Sequence, residues 1–587
     1  MHPSFVSDGH NGIMQAQFAQ LVSKTDMRRI EDLVEKNGIK SWREFVKVHG
    51  KTLAKSSTST GITTGLGLNF IDLRAPAYML DPIFAHIRNS TPRWDKVNAG
   101  YGVQPQWKAV TQIDAGQQFP GVSEGNTNSN GAFTLQNFSA PYVTLGTDDF
   151  VTYESISASE GYEDALGDGK MWQLLRFIRQ QERSYLGGAG TEASNGALQI
   201  GTTNTPTAAL SALGTNNSTN LPTGSYAAAY AVALNYRAAI NPNNTVTAGI
   251  STQYLRSNAD GSADVINGGS AIVSAASNVA GPTVTGTKNI LFYATPQAGA
   301  WGYAWFVEVN TSGSFTPAKA NALLTGITVG NSYFVYTGQT QGTQTAAYAG
   351  SGGYAGFATD LSTNSLDMDG LLTITSNSNY MLGLPTPSVS INNFGTAVTS
   401  NVWNNHGAGL TNNGMPGTVK EFDGVFFAIQ QAALTGPTTI YLSTDQVGPF
   451  RSAMLVGATT GAASVYFFPD GGPTTDGSGL SMNTLVARYH NVFGLPGGMF
   501  VDVKQHPYLP AGTVLFDVER LQETYANSRM GETRGVFVRR DTYGIEFAQT
   551  SRKYPFGVFS EEVLAVKTPN ILFALTGLGA YGATNPF

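Results

Sequence analysis

The chain is 587 residues long, enough for roughly two to four domains with a full core. Charged residues make up only 13% of it, against about a quarter in ordinary globular proteins, and 68 glycines with abundant Ser, Thr, Asn and Ala leave a surface with little same-sign repulsion between copies. A formal net charge of −6 with no run of five basic residues excludes a nucleic-acid-binding footprint, and the absence of cysteine excludes disulfide scaffolds, thiolate-ligated zinc and thiol catalysis.

The opening residues, MHPSFVSDGHNGIMQAQF, carry neither the basic nor the apolar region of a signal peptide, and no run of 18 apolar residues predicts a membrane span. Asp26–Lys36 predicts a short helix with Met27, Ile30, Leu33 and Val34 on one face, stopped at Asn37-Gly38. Ser41 is placed to cap a second helix through Trp42, Phe45, Val46 and His49. This pair has too little apolar area to stand alone. Ser56 to Gly67 reads as an extended arm, and residues 1–91 together as an N-terminal helical segment and arm.

Residues 92–150 predict a long twisted β-ribbon. Trp94, Val97, Tyr101, Val103, Trp107 and Val110 lie on the outgoing side, Leu135, Phe138, Tyr142, Val143 and Leu145 on the return, and GVSEGNTNSNGA forms the tip. A two-stranded ribbon is marginal by itself in water, so this one needs a surface to lie on, and a neighbouring copy of the chain is the natural candidate.

Residues 151–196 hold the most strongly helical stretch. Met171, Leu174, Leu175, Ile178 and Tyr185 recur at helical spacing as one apolar stripe. Arg176, Arg179, Glu182 and Arg183 are assigned to the remaining, charged surface, and Gly187, Gly188 and Gly190 end the helix. Residues 197–365 are nearly free of charge. Their strand-like runs, Ala227–Leu234, Val246–Leu255, Ile290–Ala294, Trp301–Val309 and Tyr333–Thr337, predict an all-β, sandwich-like insertion with weakly immunoglobulin-like strands.

Residues 366–500 alternate strand and helix. A helix is expected from Glu421 to Leu434, then a buried strand in TTIYLSTDQ and a short helix in GPFRSAMLVG. Residues 501–587 are β-rich. The fold class expected for the whole is α+β.

The search for chemistry returns little. None of the seven histidines has HxH or HExxH spacing, and no G-x-S-x-G or GxxxxGK[ST] occurs. Asp367-Met368-Asp369-Gly370 lacks the third ligand and closing Glu of an EF-hand and reads as a turn. The neighbouring carboxylates Glu160/Glu163 and Glu561/Glu562 read as solvated or salt-bridged rather than as an acid–base pair. No metal, cofactor or enzymatic activity is expected.

Four stretches in order resemble one family. They are GVSEG followed by PYVTLGTDDFVTYESISAS, the helix with ERSYLGGAGTEASNGAL after it, EFDGVFFAIQQAALTGPTTIYLSTDQ, and LPAGTVLFDVERLQETY with the strands that follow it to ILFALTG. Together they resemble the major capsid proteins of tailed bacteriophages, the Hong Kong 97-type (HK97-like) fold. That resemblance implies an N-terminal arm, an extended β-ribbon loop at 92–150, a spine helix of the peripheral domain at 151–196, an axial domain at 366–500, and closing strands of both domains at 501–587. Residues 197–365 have no counterpart in the family pattern and are expected to project outward.

The resemblance further implies self-assembly into hexamers and pentamers of an icosahedral shell around double-stranded DNA, held without sequence-specific contacts. The expected location is the virion, assembled in the host cytoplasm, with no membrane contact. Scaffolding, portal and decoration proteins are candidate further partners. Trp94, Trp107, Val122 and Glu124 of the ribbon, with Leu174, Ile178, Arg179 and Arg183 of the helix, are the candidate intersubunit residues. The competing readings are a phage fibre or spike, a β-rich surface adhesin, an encapsulin-like nanocompartment shell, and a carboxylate-based glycosidase.

Overall fold

The computed structural model describes residues 81–583 apart from 96–103, 114–120, 127–132, 160–163, 191–198, 214–220, 259–260, 280–288, 312–314, 378–395, 413–417, 456–487, 494–498, 520–531, 581–582 and the single positions 223, 353, 434 and 550. The helices expected before residue 50 and the arm at 56–67 lie outside the described residues, as do Glu160 and Glu163. The chain divides into Met1–Tyr78 and Met79–Phe587, and all that is described belongs to the second unit.

A four-stranded sheet of order β1-β19-β20-β4 joins the two ends of that unit: β1 (Arg93–Asp95), β4 (Val143–Thr152), β19 (Arg534–Glu546) and β20 (Lys553–Val566). The ribbon is therefore shorter than predicted. Among the described residues β2 (Gln106–Ile113) and β3 (Phe133–Ser139) form it, pairing with each other alone, while Trp94 and Val143–Leu145 belong to the body sheet. The reason is packing: Trp94 meets Phe537 of β19, and Val143 and Leu145 reach the main core.

Two short helices, α1 (His86–Ser90) and α2 (Tyr153–Ser159), flank this sheet in sequence, and α3 (Ala165–Gly187) runs along it. Helix α3 begins six residues before the predicted stripe because Asp164 caps it, accepting the Gly167 N–H at 3.0 Å.

Residues 197–365 contain two three-stranded sheets sharing a core. One is β11 (Leu323–Val329), β10 (Gly302–Asn310) and β6 (Tyr226–Leu234), and the other β12 (Tyr333–Tyr336), β9 (Asn289–Tyr293) and β5 (Thr207–Ser211). Strand β6, YAAAYAVAL, is buried on both faces. Ala227, Ala229, Ala231 and Ala233 face the second sheet with Ile290, Phe292 and Trp305. Tyr230, Val232 and Leu234 face the core that also holds Tyr185 and Leu186 of α3. Small residues on one face let the sheets approach while larger ones on the other fill the space toward the helix.

The inner sheet is thus part of the main core. A second contact agrees. At Gly330 φ is +73°, and a Cβ would stand 1.9 Å from the Ala511 carbonyl oxygen, so only glycine fits. The run Val246–Leu255 is also not one strand. Residues 245–249 turn, and β7 (Gln253–Ser257) starts later, pairing among the described residues with β8 (Ala263–Asn267) alone. A short helix, α4 (Tyr236–Ala239), follows β6, capped by Asn235.

The remaining sheet has seven strands, β13 (Thr396–Thr399), β14 (Val402–Asn404), β21 (Phe573–Thr576), β18 (Val514–Asp517), β15 (Thr439–Leu442), β17 (Met499–Gln505) and β16 (Arg488–Asn491), in that order. It mixes parallel pairs, β14–β21 and β15–β17, with antiparallel ones. Helix α5 (Leu371–Ser376) is wholly buried beside it. Helix α6 (Lys420–Ala433) covers it through Phe422 and Phe426, which meet Phe516 at ring distances of 5.2 and 5.9 Å. Helix α7 (Val447–Leu455) follows β15 as predicted. The described elements are α+β, as expected.

Candidate functional site

Exposure along α3 departs from the sequence expectation at several positions, although Tyr185 is buried and Arg176 exposed as expected. Met171 and Leu174 are each 39% exposed and Trp172 is 49% exposed, while Gln173, Gln181 and Glu182 are buried at 1% or less. Leu175 and Ile178 are half-buried, and Phe177 and Tyr185 supply the apolar anchors. Glu182, assigned from sequence to the charged surface, is instead the centre of a buried clasp.

Its carboxylate accepts the N–H of Ile87 at 2.9 Å and of Arg88 at 2.8 Å, both in α1, and meets His506 Nε2 at 2.8 Å. His506 Nδ1 accepts the Tyr508 N–H at 3.3 Å, so the ring proton sits on Nε2 and is donated to Glu182. A buried charge is tolerable only when so supplied with donors.

A second buried carboxylate comes from β20. Glu562 Oε1 accepts from Gln181 Nε2 and from the Tyr185 hydroxyl, both at 2.7 Å, and Oε2 pairs with Arg93 at 2.7 Å. Burial and the Glu562 charge together hold the Tyr185 phenol well above its ordinary value. Gln181 also accepts from Arg88 Nε at 2.8 Å. Arg534, itself buried, pairs with Asp517 and donates to Ser90 Oγ at 2.8 Å. Segment 86–93, α3, β20 and the loop after β17 are joined through these groups. The ring of His86 touches Tyr441, and burial, with Lys504 nearby, lowers its pKa.

The glycines after α3 serve close approach. A Cβ at Gly187 would lie 2.2 Å from the Tyr236 ring, and one at Gly188 2.3 Å from the Met368 carbonyl oxygen. Asp367 pairs with Arg237 at 2.8 Å, and Asp369 accepts the Gly190 N–H at 2.7 Å. The Asp367–Gly370 turn is therefore the catch that holds the helix end. A cavity of about 240 Å³ between residues 140–144 and this turn is lined by the same, already engaged carboxylates. Among the described residues no three His, Cys, Asp or Glu side chains form a metal-sized group.

The ribbon is anchored at its base. Trp107 stacks on Phe138 at 5.9 Å and lies 5.8 Å from Phe537, which Trp94 meets at 5.0 Å. Trp94 Nε1 donates to Glu532 at 2.7 Å. The two tryptophans are thus brought together inside one chain. Arg179 pairs with Asp81, and the Arg183 guanidinium covers the Tyr508 ring at 4.8 Å. Val122 remains 46% exposed and Glu124 is exposed with it. Val110 and Leu135 face each other across the ribbon at 48% and 51% exposure.

Sequence reasoning missed Gln181, Glu182, His506, Arg534 and the buried role of Glu562. One signal was present: the apolar stripe is interrupted between Ile178 and Tyr185, and the turn between them presents Gln181-Glu182, which is where the helix changes from surface to interior.

No protein-family model and no curated protein matches the chain. Among solved structures, the chain is similar to the capsid of Myoviridae phage XM1, at 9% identity over 89% of this chain and 100% of that one, with a TM-score of 0.33. It is similar to the capsid of a native GTA particle, at 7% identity over 87% and 96% of the two chains, TM-score 0.35. It is also similar to a structure of Mycobacterium phage Patience, at 9% identity over 85% and 86%, TM-score 0.29. At these values the functional reading rests on the chain's own geometry.

Proposed function

We propose that this chain is the shell-forming subunit of a capsid of the tailed-bacteriophage, Hong Kong 97 type, assembling into hexamers and pentamers around double-stranded DNA. The observation that carries the reading is the ribbon β2–β3. Among the described residues it pairs with no other strand; it is anchored at one end by the Trp107–Phe138–Phe537 stack and holds Val110, Leu135 and Val122 exposed. A hairpin of this kind is marginal in water and gains stability by lying on a partner. A low-charge surface lets identical copies approach, and the net charge of −6 disfavours tight binding to enclosed DNA.

The test is electron microscopy of the purified full-length chain. Closed shells built from six- and five-fold capsomers are expected. A strict monomer at high concentration would contradict the proposal.

A further inference from the structure

Segment 84–93, which carries α1 into β1, is fastened by the fully buried Ile87 and by hydrogen bonds: Glu182 accepts the Ile87 and Arg88 amides, Gln181 the Arg88 side chain, and Arg534 reaches Ser90. At its start two histidines meet one tyrosine. The rings of His86 and His506 stand edge-on to Tyr441 of β15 at 5.7 and 5.9 Å, and Phe84 packs against both, at 6.0 and 4.9 Å. The two rings are differently provided for. His506 has both nitrogens engaged, by Glu182 and by the Tyr508 N–H. His86 Nε2 is buried with no hydrogen-bond partner among the described residues, so a proton added there finds no acceptor. Lys504 of β17 and the His506 ring oppose a charge on His86, while Glu182 of α3 and Glu519 after β18 favour one. Glu519 is already engaged by Arg534 at 3.3 Å and by the Tyr441 hydroxyl at 3.2 Å. Burial with Lys504 prevails and holds the His86 ring below its ordinary pKa.

We propose that residues 84–91 form an acid-released strap: a proton taken up by His86 detaches the strap from the Glu182–His506 clasp while the sheets keep their structure. The inference does not depend on the shell reading. The closed strap places the His86 ring where its charged form lacks an acceptor and faces Lys504. The released strap returns the ring to water, which solvates the charge. The released form therefore binds the proton more tightly, and acid shifts the balance toward it. Because Glu182 holds backbone amides, release of α1 opens Ile87 and Arg88 to solvent exchange together.

Hydrogen exchange of the full-length chain, corrected for the intrinsic pH dependence of exchange, tests this on the peptide that holds Ile87 and Arg88. Its protection is expected to fall about tenfold between pH 7.5 and 5.5, the most that one histidine of ordinary pKa in the released form supplies, with protection of β15 and β18 unchanged. His86→Gln is expected to keep the same protection at both pH values. Lys504→Gln removes the opposing charge and is expected to lessen the fall while leaving protection at pH 7.5 as in wild type. A merely structural lysine would change protection equally at both pH values. Equal protection of the wild-type peptide at pH 7.5 and 5.5 would overturn the proposal. So would a fall of the same size in His86→Gln, or a loss that spreads at once to β15 and β18. Should His86→Gln fail to fold, the lysine variant decides: a fall as large in Lys504→Gln as in wild type would overturn the strap.

Discussion

The two halves of α3 do opposite things with one helix. From Ala165 to about Ile178 it lies on the β1-β19-β20-β4 sheet and leaves Met171, Trp172 and Leu174 exposed. From Arg179 to Gly187 it enters the interior, and the residues buried there include Gln181, Glu182 and Ser184. The first half spends apolar surface where it does not stabilise the monomer. The second uses polar groups as internal fasteners. In a subunit that works by assembly, these are the expected places for each: association draws on exposed apolar area, while buried hydrogen bonds fix the arrangement of segments that must keep their shape.

Mutations can break that contrast, and they rank by size. Glu182→Ala leaves the Ile87 and Arg88 amides and His506 without their acceptor. Removing one partner of a buried charged cluster costs about 3–5 kcal/mol, so chemical denaturation should show a large loss of stability and proteolysis should cut near α1. Gly187→Val comes next, since a Cβ there already meets the Tyr236 ring at 2.2 Å. Overpacking of this kind costs about 1–3 kcal/mol, readable in the denaturation midpoint. Tyr185→Phe removes one of the donors to Glu562 and should cost about 1–2 kcal/mol.

A smaller effect concerns acid. Burial lowers the folded pKa of His86 below its ordinary value of 6.5, so the unfolded chain binds that proton more readily. Stability from this group is present above about pH 6.5 and is lost as pH falls through that value. His86→Gln should therefore lose less melting temperature than wild type between pH 7.5 and 5.5, and equal losses would contradict the assignment. Smallest of all, Leu174→Ser should change the stability of the isolated chain by no more than about 0.5 kcal/mol while abolishing assembly. A matching collapse of stability would mean that Leu174 belongs to the core after all.

Much of the fold was legible where one rule decided the outcome. Lys420–Ala433 shows helical periodicity with an apolar face and ends ahead of Gly436-Pro437, and it is found within a residue of the prediction. Strand β6 was visible in YAAAYAVAL, but not its two-sided burial, because a run of small and apolar residues does not tell which face meets a helix and which a sheet. The span of the ribbon was overestimated because alternation is the same in a free hairpin and in a strand of a body sheet. Only the pairing of β4 with β20, 401 or more residues away in sequence, distinguishes them. Trp94 and Trp107 were singled out as candidate intersubunit residues, and sequence could not reveal that they converge on Phe537 within one chain.

The candidate site was harder to read. The Glu182 clasp draws on residues 87, 88, 182 and 506, and no local pattern links them. Helical periodicity assigns a glutamate to solvent by default, since an unpaired buried carboxylate is so costly. Its donors come from distant segments, so the exception appears only once the chain is folded.

The most direct test of the central claim is the mass distribution of the purified full-length chain, measured by sedimentation velocity and confirmed by electron microscopy. The proposal predicts capsomer-sized rings of five and six chains and closed shells, both lost in Leu174→Ser while its melting temperature is kept. A single monomeric species for the wild-type chain, unchanged at the highest concentration reached, would contradict it.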